Sequence, residues 1–156
     1  AVCPACGHIQ YQNPKVIVGS VPVWEDRILL CRRAIEPRHG KWTLPAGYME
    51  NNETAPEGAA REAMEEANAR IDVEQLYTLF SVPHISQVYV LFRARLLDLD
   101  FSPGEESLEV KLVREDEIPW DELAFACVRR TLAHFFEDRR TGMYLPRFGE
   151  IRPPER

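Results

Sequence analysis

Apolar residues alternate with small ones over Lys15–Trp24, a period of two that predicts a β-strand. Glu25-Asp26 then turns the chain back into a second run, Arg27–Arg33, so the two form a hairpin. Residues 34–41, with Pro37 and Gly40, read as loop. The period changes at Thr54. Thr54 and Glu57 make a T-x-x-E capping box, and Pro56 falls in the first turn, where amides have no helical partner anyway. Ala60, Ala63, Met64 and Ala67 then repeat at i, i+3, i+4 and i+7, which predicts a helix with a narrow buried stripe. Glu62, Glu65 and Glu66 follow two positions behind, about 200° around the axis, so this reading holds the acid outward. Residues 71–81 and 88–97 are predicted strands, separated by Pro83-His84-Ile85-Ser86. An acidic loop, Ser102-Pro103-Gly104-Glu105-Glu106, precedes a short strand at 108–113. Trp120-Asp121-Glu122 opens a second helix whose Leu123, Cys127, Leu132, Phe135 and Phe136 face inward. Residues 146–156 carry three prolines and read as an extended tail that docks on a neighbour. Strands alternating with two helices, and no internal repeat, predict an α/β fold: an α/β/α sandwich on a mixed sheet.

Composition narrows the class. At 156 residues and 45% hydrophobic, the chain can bury one core and has no room for two full-sized domains. Nineteen basic against 25 acidic residues give a net charge of −6, which argues against a general nucleic-acid or anionic-membrane binder. No apolar run approaches the roughly 20 residues of a membrane helix, and the opening residues do not read as a secretory leader. Four scattered cysteines fit the cytoplasm better than a disulfide-stapled secreted domain.

The acidic cluster carries the chemistry. Like charges at i, i+3 and i+4 cost a bare helix about 0.2–0.5 kcal/mol per pair, so a cation is the natural compensation. Carboxylate oxygens are hard donors and suit Mg²⁺ or Mn²⁺. An acidic run can also be no more than a solvated face. Spacing decides between these readings: Gly47, Glu53, Arg61, Glu62, Glu65 and Glu66 fall in register with G-x5-E-x7-R-E-U-x-E-E-x-G-U, where U is aliphatic. The stretch resembles the box of the Nudix hydrolase family. Asn68 replaces the second glycine, and Ala63 and Ala69 occupy the aliphatic positions. Asn tolerates a positive φ at a helix end, so the loop geometry is expected to survive.

The resemblance implies a Nudix α/β/α sandwich and water attack on a pyrophosphate whose nucleoside diphosphate is linked to another group. It implies Glu62, Glu65 and Glu66 as ligands of Mg²⁺ or Mn²⁺, with the Gly47 carbonyl beside them. Glu53 would support the cluster and Arg61 would orient it by ion pairing. One helix face cannot surround two or three cations, so a further carboxylate is expected from the distal acidic loop: Glu106, with Glu105 and Glu109 behind it. Arg32 or Arg33 would bind phosphate, and Tyr89 or Trp42 would stack on a base or flavin unless they belong to the core.

Cys3-Pro4-Ala5-Cys6-Gly7 is typical of one knuckle of a zinc ribbon, in which two knuckles supply four thiolates to a structural Zn²⁺. Cys3 and Cys6 are therefore a partial Zn²⁺ site whose second knuckle would lie upstream of Ala1; an empty remnant and a redox C-x-x-C are the alternatives. Cys31 and Cys127 read as core. The knuckle, then Tyr11-Gln12-Asn13-Pro14-Lys15, then the box, resembles the zinc-ribbon Nudix subgroup. NADH pyrophosphatases of that subgroup carry S-Q-P-W-P-F-P beyond the box, where this chain reads Leu79-Phe80-Ser81-Val82-Pro83-His84-Ile85. The resemblance is closer to the FAD-type branch. The expectation is hydrolysis of FAD or ADP-ribose with release of AMP by a cytoplasmic homodimer; an NADH pyrophosphatase and an inactive nucleotide sensor stand as alternatives. The expected division is a partial ribbon at 1–13, a Nudix domain at 14–145 and a tail at 146–156.

Overall fold

Strand β1 (Lys15–Trp24) is the spine of an eight-stranded mixed sheet in the computed structural model, which describes residues 1–153. One edge of β1 runs parallel to β6 (Gln87–Leu96) along nearly its whole length. Its other edge is divided: residues 17–19 pair antiparallel with β4 (Ala46–Tyr48), and residues 23 and 24 turn back into β2 (Arg27–Arg33). β2 is flanked by β7 (Ser107–Val113) and also pairs with β3 (Trp42–Thr43). On the far side, β5 (Ile71–Val82) pairs antiparallel with β6 and parallel with β8 (Arg147–Glu150). The predicted hairpin has the expected ends, and the Pro83–Ile85 interruption between β5 and β6 is a single turn of 3₁₀ helix.

Two helices cover the sheet. The long helix α2 (Ala126–Thr141) brings Val128, Leu132, Phe135 and Phe136 against Ile17, Val21, Leu30, Tyr77, Phe80 and Leu91, which form the main core. Its start lies beyond the predicted one, because residues 120–122 form a separate 3₁₀ turn. Helix α1 (Ala55–Ala67) is capped as expected: Thr54 Oγ1 accepts from the Glu57 amide, and Glu57 Oε2 accepts from the Thr54 amide, each at 3.2 Å. At its other end Asn68 takes the left-handed conformation that the missing glycine would have supplied (φ 48°, ψ 33°).

The face of α1 differs from the predicted one. Gly58, Ala59, Glu62, Ala63 and Ala67 are buried, while Met64 is 43% exposed, so the packed stripe is turned by roughly one residue. The expected outward acid is therefore divided: Glu62 is only 7% exposed, whereas Glu65 stays exposed. The cause is steric. Glycine and alanine let the helix settle onto the sheet, and the larger Met64 is left at its rim.

Ahead of β1, the first ten residues form a small hairpin closed by a Val2–Ile9 bridge, with Cys3 and Cys6 in its turn. At the other terminus, the segment read as an extended, docking tail supplies β8, an edge strand of the same sheet. Residues 154–156 of that expected tail lie outside the described residues.

Candidate active site

Two glycines allow the acidic helix face to meet its surroundings. A Cβ on Gly47 of β4 would stand 2.4 Å from the Glu62 carboxylate, so only glycine lets that side chain lie on the β4 backbone. A Cβ on Gly104 would stand 1.8 Å from the Glu65 carbonyl oxygen. The 102–106 loop thus docks directly on the C-terminal end of α1. There the Gly104 amide donates to the Glu66 carbonyl (2.9 Å), and the Ser102 amide donates to the Ala67 carbonyl (2.9 Å). This docking carries Glu106 close enough to raise the carboxyl pKa of both Glu62 and Glu66.

Arg61 is the centre of charge. It holds Glu53 through two bonds, Nε to Oε2 at 3.0 Å and Nη2 to Oε1 at 2.8 Å, a fork that fixes both groups. Its Nη1 reaches Glu62 Oε1 at 2.7 Å and Glu65 Oε2 at 3.2 Å, and Nη2 donates to the Tyr48 carbonyl of β4 at 3.0 Å. Hydrogen bonding from Arg61 and from the Glu50 amide lowers the Glu53 carboxyl to about 2. Burial raises Glu62, with Arg61 opposing. Burial, followed by repulsion from Glu62, raises Glu66 to about 8, although the Ala46 amide donates to it and Arg33 offsets part of the cost.

These groups suit a hard divalent cation in chemistry: oxygen donors, half-desolvated, repelling one another, and seated where a side chain on Gly47 would not fit. Among the described residues, no three His, Cys, Asp or Glu side chains converge as a ligand set. Arg61 instead occupies the acids as their counter-cation, which leaves Glu65 turned along the helix surface.

The structure also holds an apolar cavity of about 620 Å³. Tyr89 of β6, Phe125 and Cys127 at the start of α2, Val82 and Ile85 line it, and Arg38 and His84 also border it. Tyr89 is 9% exposed and so serves both core and cavity. Arg33 joins the two halves: its guanidinium lies 5.0 Å from the Phe125 ring centroid and its charge is felt by both Glu66 and Tyr89. A bulge between Arg32 and Arg33 separates their roles. Arg32 donates to the Gly40 carbonyl at 2.9 Å and braces the 34–41 loop. Trp42, the other stacking candidate, is core, with Lys111 4.5 Å from its ring centroid. Glu109 sits across the ladder from Arg32, on β7.

Of the residues named from the sequence, the structure links the acids, Arg61 and Gly47 directly, and Arg33 connects them to Tyr89. Sequence reasoning missed Phe125, Val82, Ile85 and Ile151, which are scattered in sequence and meet only through the fold.

Cys3 and Cys6 stand apart on the N-terminal hairpin as free thiols. The Cys6 amide, the Cys6 thiol and the Ala5 amide hydrogen-bond to Cys3 and lower its pKa, which favours thiolate. Cys31 and Cys127 are buried, as expected; burial raises Cys31 and raises Cys127 to about 12, so neither is a nucleophile. Among the described residues, no helix is long and apolar enough to cross a membrane.

The chain is similar to known proteins. Residues 13–135 match the NUDIX domain family. A MutT-like protein of Streptomyces ambofaciens is 35% identical over 104 residues, which is 66% of this chain and 66% of that protein. An ADP-ribose pyrophosphatase of Methanocaldococcus jannaschii is 27% identical over 121 residues, covering 74% of this chain and 69% of that one. The crystal structure of a NUDIX hydrolase from Nitrosomonas europaea superposes with a TM-score of 0.94 at 59% identity, covering 96% of this chain and 85% of that one. Enzymes of this family generally use divalent metals such as Mg²⁺ or Mn²⁺. With the sandwich, the Arg61-centred acids and the glycine-seated carboxylate all in place, the chain belongs to the Nudix hydrolase family.

Proposed function

We propose that the chain hydrolyses the pyrophosphate bond of a nucleoside diphosphate linked to a second group, ADP-ribose or FAD, releasing AMP. One observation carries this reading: a half-buried carboxylate cluster, seated on Gly47 and ordered by Arg61, is linked through Arg33 to an aromatic cavity large enough for a nucleoside. Similarity to an ADP-ribose pyrophosphatase supports the choice of substrate.

Glu62, Glu65 and Glu66, with the Gly47 carbonyl, would hold Mg²⁺ or Mn²⁺. The bound cation supplies charge neutralisation at the diphosphate and a water of lowered pKa. Glu53 fixes Arg61, and Arg61 fixes Glu62. Glu106, facing the same acids from the docked loop, is assigned as the further carboxylate that takes the water's proton or adds a ligand. Arg33, between acid and cavity, would bind phosphate, and Tyr89 and Phe125 would contact the base; Arg32 supports the loop behind them.

The proposal extends to the termini. Residues 1–13 form a metal knuckle in which Cys3 and Cys6 supply two thiolates to a structural Zn²⁺, an assignment supported by the lowered Cys3 pKa. Residues 14–145 form the hydrolase domain, and the segment from 146 completes its sheet. A cytoplasmic homodimer is consistent with four free cysteines and with Phe148, 88% exposed on edge strand β8.

The test is incubation with ADP-ribose, FAD and NADH in the presence of Mg²⁺ or Mn²⁺, with chromatographic detection of AMP. Metal-dependent AMP release from ADP-ribose or FAD is expected. Tight binding of these compounds without any product would make the protein a sensor instead.

A further inference from the structure

The segment after α2 returns to the sheet, and its return finishes the cavity. Arg147, the first residue of β8, donates to the buried Asp138 carboxylate of α2 and contacts His134 Nδ1. The same Asp138 carboxylate accepts from the buried Tyr77 hydroxyl of β5, so one acid ties β5, α2 and β8 together. Further along, the Arg130 guanidinium donates to the Glu150 carbonyl at 2.8 Å, and the Ile151 amide donates to the Ser81 carbonyl at 2.9 Å. Gly149 rests on Phe80; a Cβ there would stand 3.1 Å from both that ring and the Arg130 guanidinium. Ile151, about 13 Å along the strand from Arg147 at 3.3 Å per residue, is 3% exposed and lines the cavity together with Pro153.

We infer that Ile151 is a specificity-determining residue of the nucleoside cavity, and that Arg147 is the positioning residue that keeps it there. The inference rests on the proposed role of that cavity as the site of a planar base. A four-residue edge strand has little stability of its own, and a slip of one residue would turn Ile151 to the other face. The Asp138–Arg147 pair fixes the register at one end of β8, and the Ile151–Ser81 bond fixes it at the other. The ligand class is the base and ribose of a nucleoside monophosphate. Its fit depends on the volume left by residue 151.

The experiment is a calorimetric titration with AMP, which has no pyrophosphate to cleave, on the wild type and on Ile151→Trp, Ile151→Ala, Arg147→Ala and Arg147→Lys. Melting curves and hydrogen exchange at the Ile151 amide accompany it. Ile151→Trp narrows the cavity and is expected to weaken AMP about tenfold or more, in the range by which tight pockets reject added bulk. Ile151→Ala weakens AMP less and extends turnover to bulkier bases. Arg147→Ala speeds exchange at Ile151 and raises KM while kcat stays within about twofold, and Arg147→Lys restores most of the loss. Wild-type affinity in folded Ile151→Trp, or in folded Ile151→Ala if the first variant does not fold, overturns the assignment. AMP binding that depends on residue 151, without hydrolysis of any diphosphate, upholds it and removes the hydrolase reading. Absence of AMP binding by the wild type overturns the assignment, and release of AMP from ADP-ribose or FAD then decides the hydrolase reading separately.

Discussion

Helix α1 meets the sheet through Gly58, Ala59, Ala63 and Ala67, whereas α2 meets it through Val128, Leu132, Phe135 and Phe136. Small side chains bury little area but bring the helix backbone close, and that closeness lets Glu62 lie on Gly47 and Glu66 reach the Ala46 amide. Large side chains do the reverse: they fill the core. One helix places charge and depends on the other for stability. Lesions in the two should therefore part company, with α2 showing its effect in melting and α1 in turnover.

The largest expected effect is on the α2 side. Phe135→Ala empties a fully packed site between Tyr77, Phe136 and Tyr144 and should cost about 3–5 kcal/mol of stability by denaturant titration. Among molecules still folded, kcat should stay within about twofold, the change being remote from the acids. Next comes Glu66→Gln, which removes charge at the same volume; kcat should fall on the order of 10²–10³ as for other groups that stabilise developing charge, with no loss in melting temperature. If Glu66→Gln melted early, or Phe135→Ala lost turnover while folded, the division between the helices would be wrong. A smaller effect tests the hub. Arg61→Lys keeps the charge but loses the fork to Glu53, and activity should fall about 10–100-fold, as for groups that orient ligands.

The smallest effect concerns pH in metal-free protein. The Glu66 carboxyl stands at about 8 against an ordinary 4.5, so between those values the folded chain holds a proton that the unfolded chain releases. Stability then falls as pH rises through that window. Wild-type melting temperature should decline from pH 6 to pH 8.5 by a few degrees more than that of Glu66→Gln. Parallel declines would mean that Glu66 is not charged at cost in the folded state.

How much was legible follows the same contrast. The hairpin of β1 and β2, the Thr54 capping box and the left-handed Asn68 were all readable, because local periodicity and capping chemistry fix them. The acidic set was expected from a spacing that resembles the Nudix box, and its part as a ligand set belongs to the proposal. The face of α1 was not readable: periodicity admits Met64 or Glu62 on the buried side, and only the backbone of Gly47 makes room for Glu62. Strands β3 and β4, two and three residues long, have no period to detect. The β8 strand was hidden by neighbouring prolines, and its pairing depends on Asp138 and Ser81, distant in sequence. The cavity was invisible for the same reason, since Val82, Tyr89, Phe125 and Ile151 share no motif.

The central claim is that the acids on α1, seated against β4, take up a divalent cation. Titration of Mn²⁺ followed by electron paramagnetic resonance tests it most directly, because the free ion gives a signal that disappears on binding. Wild-type protein should remove Mn²⁺ from the free pool and release AMP from ADP-ribose in proportion, while Glu62→Gln and Glu66→Gln, still folded, should do neither. Equal Mn²⁺ uptake by those variants and the wild type would contradict the account.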